Sequence, residues 1–258
     1  MRNNVQKTVD ELRPMDDILF HKLAEDRGFC EELLRCILEK PNLTIIENIP
    51  QRSLKNIHGR SVILDLLCQD SEHNYFNVEL QNDNHDNHQR RVRYNGANVD
   101  TYIMEKGTSF WELPEVYVIY ISDFDIFKEG KSIYHIERVI HEKGKIIYNG
   151  FHEIYVNAEN DDGSDIAGLM SIFKSIDVIF DERFPRICDA IQNIKQGKEG
   201  DHMCEAVRKY AEEYAQEYAK EKIIQIAKNM IRNGFTAASI HDNTELSLNQ
   251  IQRLMEEG

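Results

Sequence analysis

The stretch Ser61-Val62-Ile63-Leu64-Asp65-Leu66-Leu67-Cys68 constrains the fold of this chain more than any other. It reads as a strand, and it is too apolar to be solvated on either face. Each face therefore needs a covering layer. That excludes a helical bundle and points to helices packed on a sheet. The run carries one charge, Asp65, near its middle.

The flanking segments supply the layers. Pro14 and the aspartates at 16 and 17 suit a helix start, and Ile18, Leu19, Phe20, Leu23 and Ala24 recur behind them at helical spacing. A second helix is expected over 29–39, ended by Pro41, and a strand over 43–49, closed by Pro50. Tyr75 to Gln81 (YFNVELQ) predicts a third strand. Residues 87–105 predict a helix with Val92, Ala97, Val99, Tyr102 and Ile103 inward and Gly107 as its stop, and 115–122 a strong strand. Weaker strands follow at 133–140 and 154–156, then helices at 166–180 and 185–194. The order α-α-β-β-β-α-β is an α/β arrangement. A polar, glycine-containing segment at 195–200 divides residues 1–200 from residues 201–258. The second part predicts a long helix over 205–233, with Tyr210, Tyr214 and Tyr218 four apart, and short helices at 236–241 and 248–256.

Composition removes several classes. Acidic residues number 45 against 31 basic, a formal net charge of −14, which argues against nonspecific coating of nucleic acid. A nuclease is not excluded, because its site is itself acidic and needs only a local basic strip. No run approaches the roughly 18 apolar residues that span a bilayer. The charged N-terminus lacks the apolar core of a signal peptide. Five cysteines without CxxC spacing predict buried, reduced thiols and a cytoplasmic setting.

Strand parity sharpens the centre. Ile63, Asp65 and Leu67 are expected on one face, and Tyr75, Asn77, Glu79 and Gln81 on one face of the next strand. A hairpin centred on Glu72 makes the numbers of opposed residues sum to 144, which sets Asp65 opposite Glu79 and Ile63 opposite Gln81. Two carboxylates about 5 Å apart across a sheet repel. Buried, they share a proton or hold a cation, and such oxygen ligands suit Mg²⁺ or Mn²⁺ with a substrate phosphate. Gln81 could orient a water through its amide. The plainer alternative makes Asp65 a satisfied strand-end aspartate and Glu79 a solvated one. Arg90, Arg91 and Arg93 form the strongest basic cluster, at a helix start just past this pair, and could contact phosphates or pair with Asp83 and Asp86. Asp17 is a possible accessory ligand or a helix-dipole partner. His73, His85 and His88 are expected in a solvated loop.

Asp65 followed by Glu79-Leu80-Gln81 in this element order resembles the PD-(D/E)xK nuclease superfamily. More narrowly it resembles the recombination-promoting nuclease, or PD-(D/E)xK nuclease family transposase, group. Pro14-x-x-Asp17-x-x-Phe20 matches that group's opening motif, Leu64-Asp65-Leu66 its apolar-Asp-apolar strand, and Val78-Glu79-Leu80-Gln81 its E-x-Q box. Arg91-x-x-Tyr94, Gly107 and the next apolar strand match what lies downstream. The resemblance implies a restriction-endonuclease-like core with a mixed sheet and a helical C-terminal extension. It implies a Mg²⁺- or Mn²⁺-dependent DNA endonuclease of the recombination or mobile-element type. Asp65 and Glu79 would hold the metal, Gln81 would replace the superfamily lysine, and Arg90, Arg91 and Arg93 would meet DNA phosphates. His21 stands where that group often has lysine, and Leu64 where the superfamily has proline. A lysine at position 81 is expected to keep or raise activity. The alternative of another class is a catalytically idle DNA-binding or interaction module on the same fold.

Residues 223–257 have the length of a helix-turn-helix, but Thr244-Glu245-Leu246-Ser247 has glutamate where the family counterpart has glycine. The tyrosine stripe favours packing against a second chain, so a homodimer through the C-terminal helices is the expected partner beside DNA. No membrane partner is expected.

Overall fold

The computed structural model describes residues 11–54, 61–84, 87–196, 223–224, 226–244 and 246–256. The chain divides into two compact units, Met1–Cys204 and Glu205–Gly258. The first opens with helices α1 (Asp17–Leu23) and α2 (Arg27–Leu38), then strands β1 (Ile45–Leu54), β2 (Val62–Asp70) and β3 (Tyr75–Gln81). Helix α3 (His88–Ile103) leads to β4 (Val116–Ser122), and β5 (Ile133–Ile136), β6 (Arg138–Ile140), β7 (Lys145–Ile147) and β8 (Phe151–Asn157) follow. Helices α4 (Asp165–Lys174) and α5 (Pro185–Gln196) close the unit.

Six strands form one mixed sheet in the order β1-β2-β3-β4-β8-β5, and β6 and β7 form a separate two-stranded ribbon. β1, β2 and β3 run antiparallel, whereas β3–β4 and β4–β8 are parallel. This places β2 and β3 inside the sheet, as the apolar run over 61–68 demands. Helix α3 packs against β4, β1 and β2, and its Val92 and Val99 share a buried cluster with Leu64, Leu67, Val118 and Tyr120. On α1, α2 and α4, Phe20, Phe29 and Phe173 meet with ring centroids 6.1–6.5 Å apart.

Several expected boundaries move. The first strand passes through Pro50 to Leu54, with Pro50 opposite Leu66. β1 lies at the sheet edge, where a residue without an N–H is tolerated. The region 133–140 splits into β5 and β6, and a further short strand, β7, lies where the sequence pattern predicts none. The helix expected over 166–180 ends at Lys174, because Ser175 is extended. Along α3 the buried positions are His88, Val92, Asn95, Gly96 and Val99, while Ala97 and Tyr102 face outward. Small and polar residues thus hold inward positions that hydropathy assigned to their neighbours.

In the second unit, residues 226–232 are helical, followed by α6 (Ala237–Thr244) and α7 (Leu248–Glu256). Ala227, Ile240, Leu246 and Ile251 form its own buried cluster. Tyr210, Tyr214 and Tyr218 lie outside the described residues.

Gly96 sets how closely α3 approaches the sheet: a Cβ there would fall 2.3 Å from the Phe151 ring. Gly96→Ala is therefore expected to cost about 1–3 kcal/mol through overpacking. Chemical denaturation checks this, and an unchanged midpoint would mean that the ring moves aside freely.

Candidate active site

Asp65 owes its position to a break in the β1–β2 ladder. Pairs run Ile49↔Leu67 and Pro50↔Leu66, then Arg52↔Leu64, with no pair at Gln51 and Asp65. Gln51 has φ 51°, a left-handed conformation that a non-glycine residue adopts only under constraint. Beyond the break the strand faces exchange: Leu64 joins Leu67 in the cluster under α3, and Ile63 is 62% exposed. The expected shared face of Ile63, Asp65 and Leu67 is thereby overturned, because simple alternation does not survive an irregularity.

The hairpin register itself is as expected. Leu66↔Val78, Leu67↔Asn77, Cys68↔Phe76 and Gln69↔Tyr75 all sum to 144. The ladder stops short of Asp65 and Glu79. In its place Leu80 N–H donates to Asp65 Oδ2 at 2.9 Å, so the carboxylate binds the β3 backbone directly.

Glu79 is fully buried, which rules out the solvated reading. Among the described residues neither of its carboxylate oxygens meets a donor in full hydrogen-bond geometry, and the carboxamide of buried Asn77, two residues earlier on the strand, gives it only weak support. Burial, and then the charge of Asp65, push the Glu79 pKa up to about 8, while Arg91 pulls against them. Arg91 Nη2 lies 3.5 Å from Glu79 Oε2.

Gln81 is held by a chain of polar groups. Its Oε1 accepts from Arg91 Nη1 at 2.7 Å and from the Tyr120 hydroxyl at 3.2 Å, and its Nε2 donates to the Asp83 carbonyl at 2.8 Å. The Tyr120 hydroxyl in turn lies 2.9 Å from Nδ1 of His88, whose Nε2 is 3.1 Å from Asn84 Oδ1. His88 is therefore a buried network residue rather than a loop histidine. His73 is exposed, and His85 lies outside the described residues. The signal for Tyr120 was present in the sequence, because the β4 residue opposite Glu79 carries a hydroxyl in an otherwise apolar stretch, Val118 to Ile121.

Arg90 and Arg93 are exposed on the first turns of α3. With Arg91, Tyr94, Asn95, Asn87, Ser61, Val62 and Ile63 they line a cleft of about 710 Å³. On the other side, Asn82 Nδ2 donates to the Met15 carbonyl at 3.0 Å and ties the chain just before α1 to the end of β3. His21 on α1 thereby reaches Asp65, with Nε2 3.7 Å from Oδ1. Asp17, one turn earlier, is exposed.

The model of the PD-(D/E)XK nuclease family transposases matches residues 17–165, which contain all of these side chains. The chain belongs to that family. No curated protein and no solved structure matches it. Membership supports a nuclease-type function, and nucleases of this superfamily generally use divalent metals and act on DNA.

The family's metal can be tested against the residues present. When both are ionised, Glu79 and Asp65 have Arg91 beside them, 3.5 Å from Glu79, which leaves the pair a positive charge short. Mg²⁺ binds through one or two carboxylates while keeping waters and taking substrate phosphate, so Asp65 and Glu79 fit it. Among the described residues no group of three or more His, Cys, Asp or Glu side chains could hold a metal, so protein carboxylates alone would leave most positions to water and phosphate.

Between the ordinary glutamate value of 4.5 and about 8, the folded chain keeps a proton on Glu79 that the unfolded chain has lost. Stability is therefore expected to fall as pH rises through that window. Glu79→Gln should melt above wild type at pH 8 and close to it at pH 5; about 1 kcal/mol would appear as roughly 2–4 °C. Thermal melts in EDTA read this directly. Equal melting temperatures at pH 8 would show that the Glu79 charge is satisfied.

Proposed function

We propose that the chain is a Mg²⁺- or Mn²⁺-dependent DNA endonuclease of the recombination or mobile-element type, built on a restriction-endonuclease-like core. The observation that carries this reading is Glu79, fully buried beside Asp65 with a 3.5 Å approach of Arg91 set against its charge. Such a pair weakens the metal-free fold and gains a cation as its natural complement. When bound, the ion supplies a polarised water and a positive charge at the scissile phosphate.

The residues of the chain do the rest. Asp65 and Glu79 hold the ion, with Asp65 oriented by the Leu80 N–H. Gln81 fixes Arg91 through its Oε1 and retains one amide hydrogen that can orient the water. Arg91 brings to the site the cation that a lysine at position 81 would otherwise carry. Arg90 and Arg93 meet flanking phosphates along the cleft. Asp17 is an accessory group at the rim. Reduced thiols at Cys30, Cys36, Cys68 and Cys188 suit a cytoplasmic enzyme. Cutting both strands of a duplex needs two sites, which residues 201–258 would supply by pairing two copies, with residues 1–200 as the catalytic part.

One observation favours a second reading, an idle DNA-binding module. Arg91 already stands 3.5 Å from Glu79 and partly occupies the role of the counterion. Cleavage decides between the two. Wild type should nick plasmid with Mg²⁺ or Mn²⁺ and not in EDTA, while Asp65→Ala and Glu79→Ala fold without cutting. DNA binding without cleavage, unchanged in both variants, would select the idle module. Arg90→Ala and Arg93→Ala should each weaken binding across sequences and lower the salt slope by about 1. Light scattering on the full chain reads the dimer, and a monomer would remove that role from the C-terminal unit.

Position 81 offers a separate check. Lysine there would stand against Arg91 and remove its acceptor, so Gln81→Lys is now expected to lower the cleavage rate. A rate equal to or above that of wild type would restore the opposite expectation drawn from the sequence.

A further inference from the structure

His21 lies outside the set assigned above, yet the structure fixes its ring from two sides. Its side chain is 16% exposed, and Nε2 is buried with no hydrogen-bond partner among the described residues. Nδ1 lies 2.8 Å from Nε2 of Gln51, so it accepts the amide N–H and leaves the ring proton on Nε2. Asp65 selects the same tautomer, because the other would aim a lone pair at a carboxylate 3.7 Å away. That distance is too long for a hydrogen bond. It leaves Nε2–H directed at an atom that can touch Nε2 and Oδ1 together.

The backbone supports the same arrangement. Gln51 is the left-handed residue at the ladder break, and its missing partner across β2 is Asp65. One irregularity thus takes Asp65 out of the ladder and sets the Gln51 amide against Nδ1 of His21. Constrained backbone of this kind costs free energy and is found where a site needs it.

We propose that His21 is a further catalytic residue, whose Nε2–H donates to a non-bridging oxygen of the scissile phosphate beside Asp65, and that Gln51 is the positioning residue that fixes its tautomer. This rests on the nuclease reading above. No bond to His21 forms or breaks and no proton leaves it. The hydrogen bond strengthens as charge gathers on the phosphoryl oxygens, so its effect falls on kcat rather than on KM.

Two measurements on the full-length protein test it. Long-range ¹H–¹⁵N NMR of metal-free protein should show His21 with its proton on Nε2. Gln51→Leu should add a population with the proton on Nδ1. In cleavage assays with Mg²⁺, His21→Phe should lower kcat on the order of 100-fold with KM nearly unchanged. His21→Gln, which keeps an N–H donor, should recover most of that loss, and Gln51→Leu should fall between. Melting curves of all three variants control for folding. A wild-type His21 protonated on Nδ1, or an undiminished kcat in His21→Phe, would overturn the proposal. An equal loss in His21→Phe and His21→Gln would also overturn it, since the ring would then act only by its shape. Cleavage that needs Asp65 but ignores His21 sinks this inference alone, whereas absence of Asp65-dependent cleavage sinks the nuclease reading and this inference with it.

Discussion

The burial of Glu79 against the charge of Asp65 is the interaction to which the rest of the site answers. A carboxylate with no access to water and no hydrogen bond is among the costlier groups a core can hold. Three features answer that cost. Its own proton is retained to about pH 8, the Arg91 guanidinium approaches to 3.5 Å, and Asp65 turns one oxygen to the Leu80 N–H. Each is a partial remedy, and none gives Glu79 a direct hydrogen bond. On the proposed reading, that shortfall of positive charge is what a divalent cation would fill.

The geometry that makes this possible is a defect in regular pairing. The register of β1 and β2 is the same on both sides of Gln51, but if Gln51 and Asp65 also paired, Asp65 would lie in an ordinary ladder and alternate strictly with its neighbours. The break frees its carboxylate to reach the β3 backbone and brings Leu64 under α3 beside Leu67. Apolar burial is kept on both sides of the break, which is how the strand remains stable around a charged centre. Asn82, bonded to the Met15 carbonyl, then fixes the start of α1 near the end of the same hairpin. Three elements distant in sequence thus converge on one carboxylate pair.

Much of this was legible in the sequence. The hairpin register followed from the polar connector 69–74 and the alternation on either side, and it holds at four ladder pairs. The mixed α/β layering followed from a strand too apolar to face water. What failed did so for physical reasons. Pro50 reads as a strand end only if the strand is central, and β1 is an edge. Alternation misplaced Ile63 because the break at Asp65 depends on a left-handed Gln51, which no local pattern announces. His88 looked solvated among asparagines and aspartates, yet its one inward position on α3 lies over Tyr120. Polar residues buried by a network carry no hydropathy signal, because what satisfies them is a partner elsewhere in the chain.

On the proposed reading, glutamine rather than lysine at position 81 is coherent with this arrangement. A lysine in the strand is a point charge on a flexible stem, able to face one partner well. The Arg91 guanidinium is a planar fork, and its two ends reach two side chains of β3: Nη1 bonds the Gln81 carbonyl at 2.7 Å, and Nη2 approaches Glu79 at 3.5 Å. Glutamine supplies the acceptor that this fork requires, and Tyr120 bonds the same oxygen and holds it in place. In that reading the positive charge at the site comes from the helix, through Arg91, rather than from the strand. Its position now depends on how closely α3 packs on the sheet, and hence on Gly96, whose missing side chain admits the Phe151 ring. Packing in the core and charge at the site are therefore one constraint, transmitted along a single helix from Gly96 to Arg91.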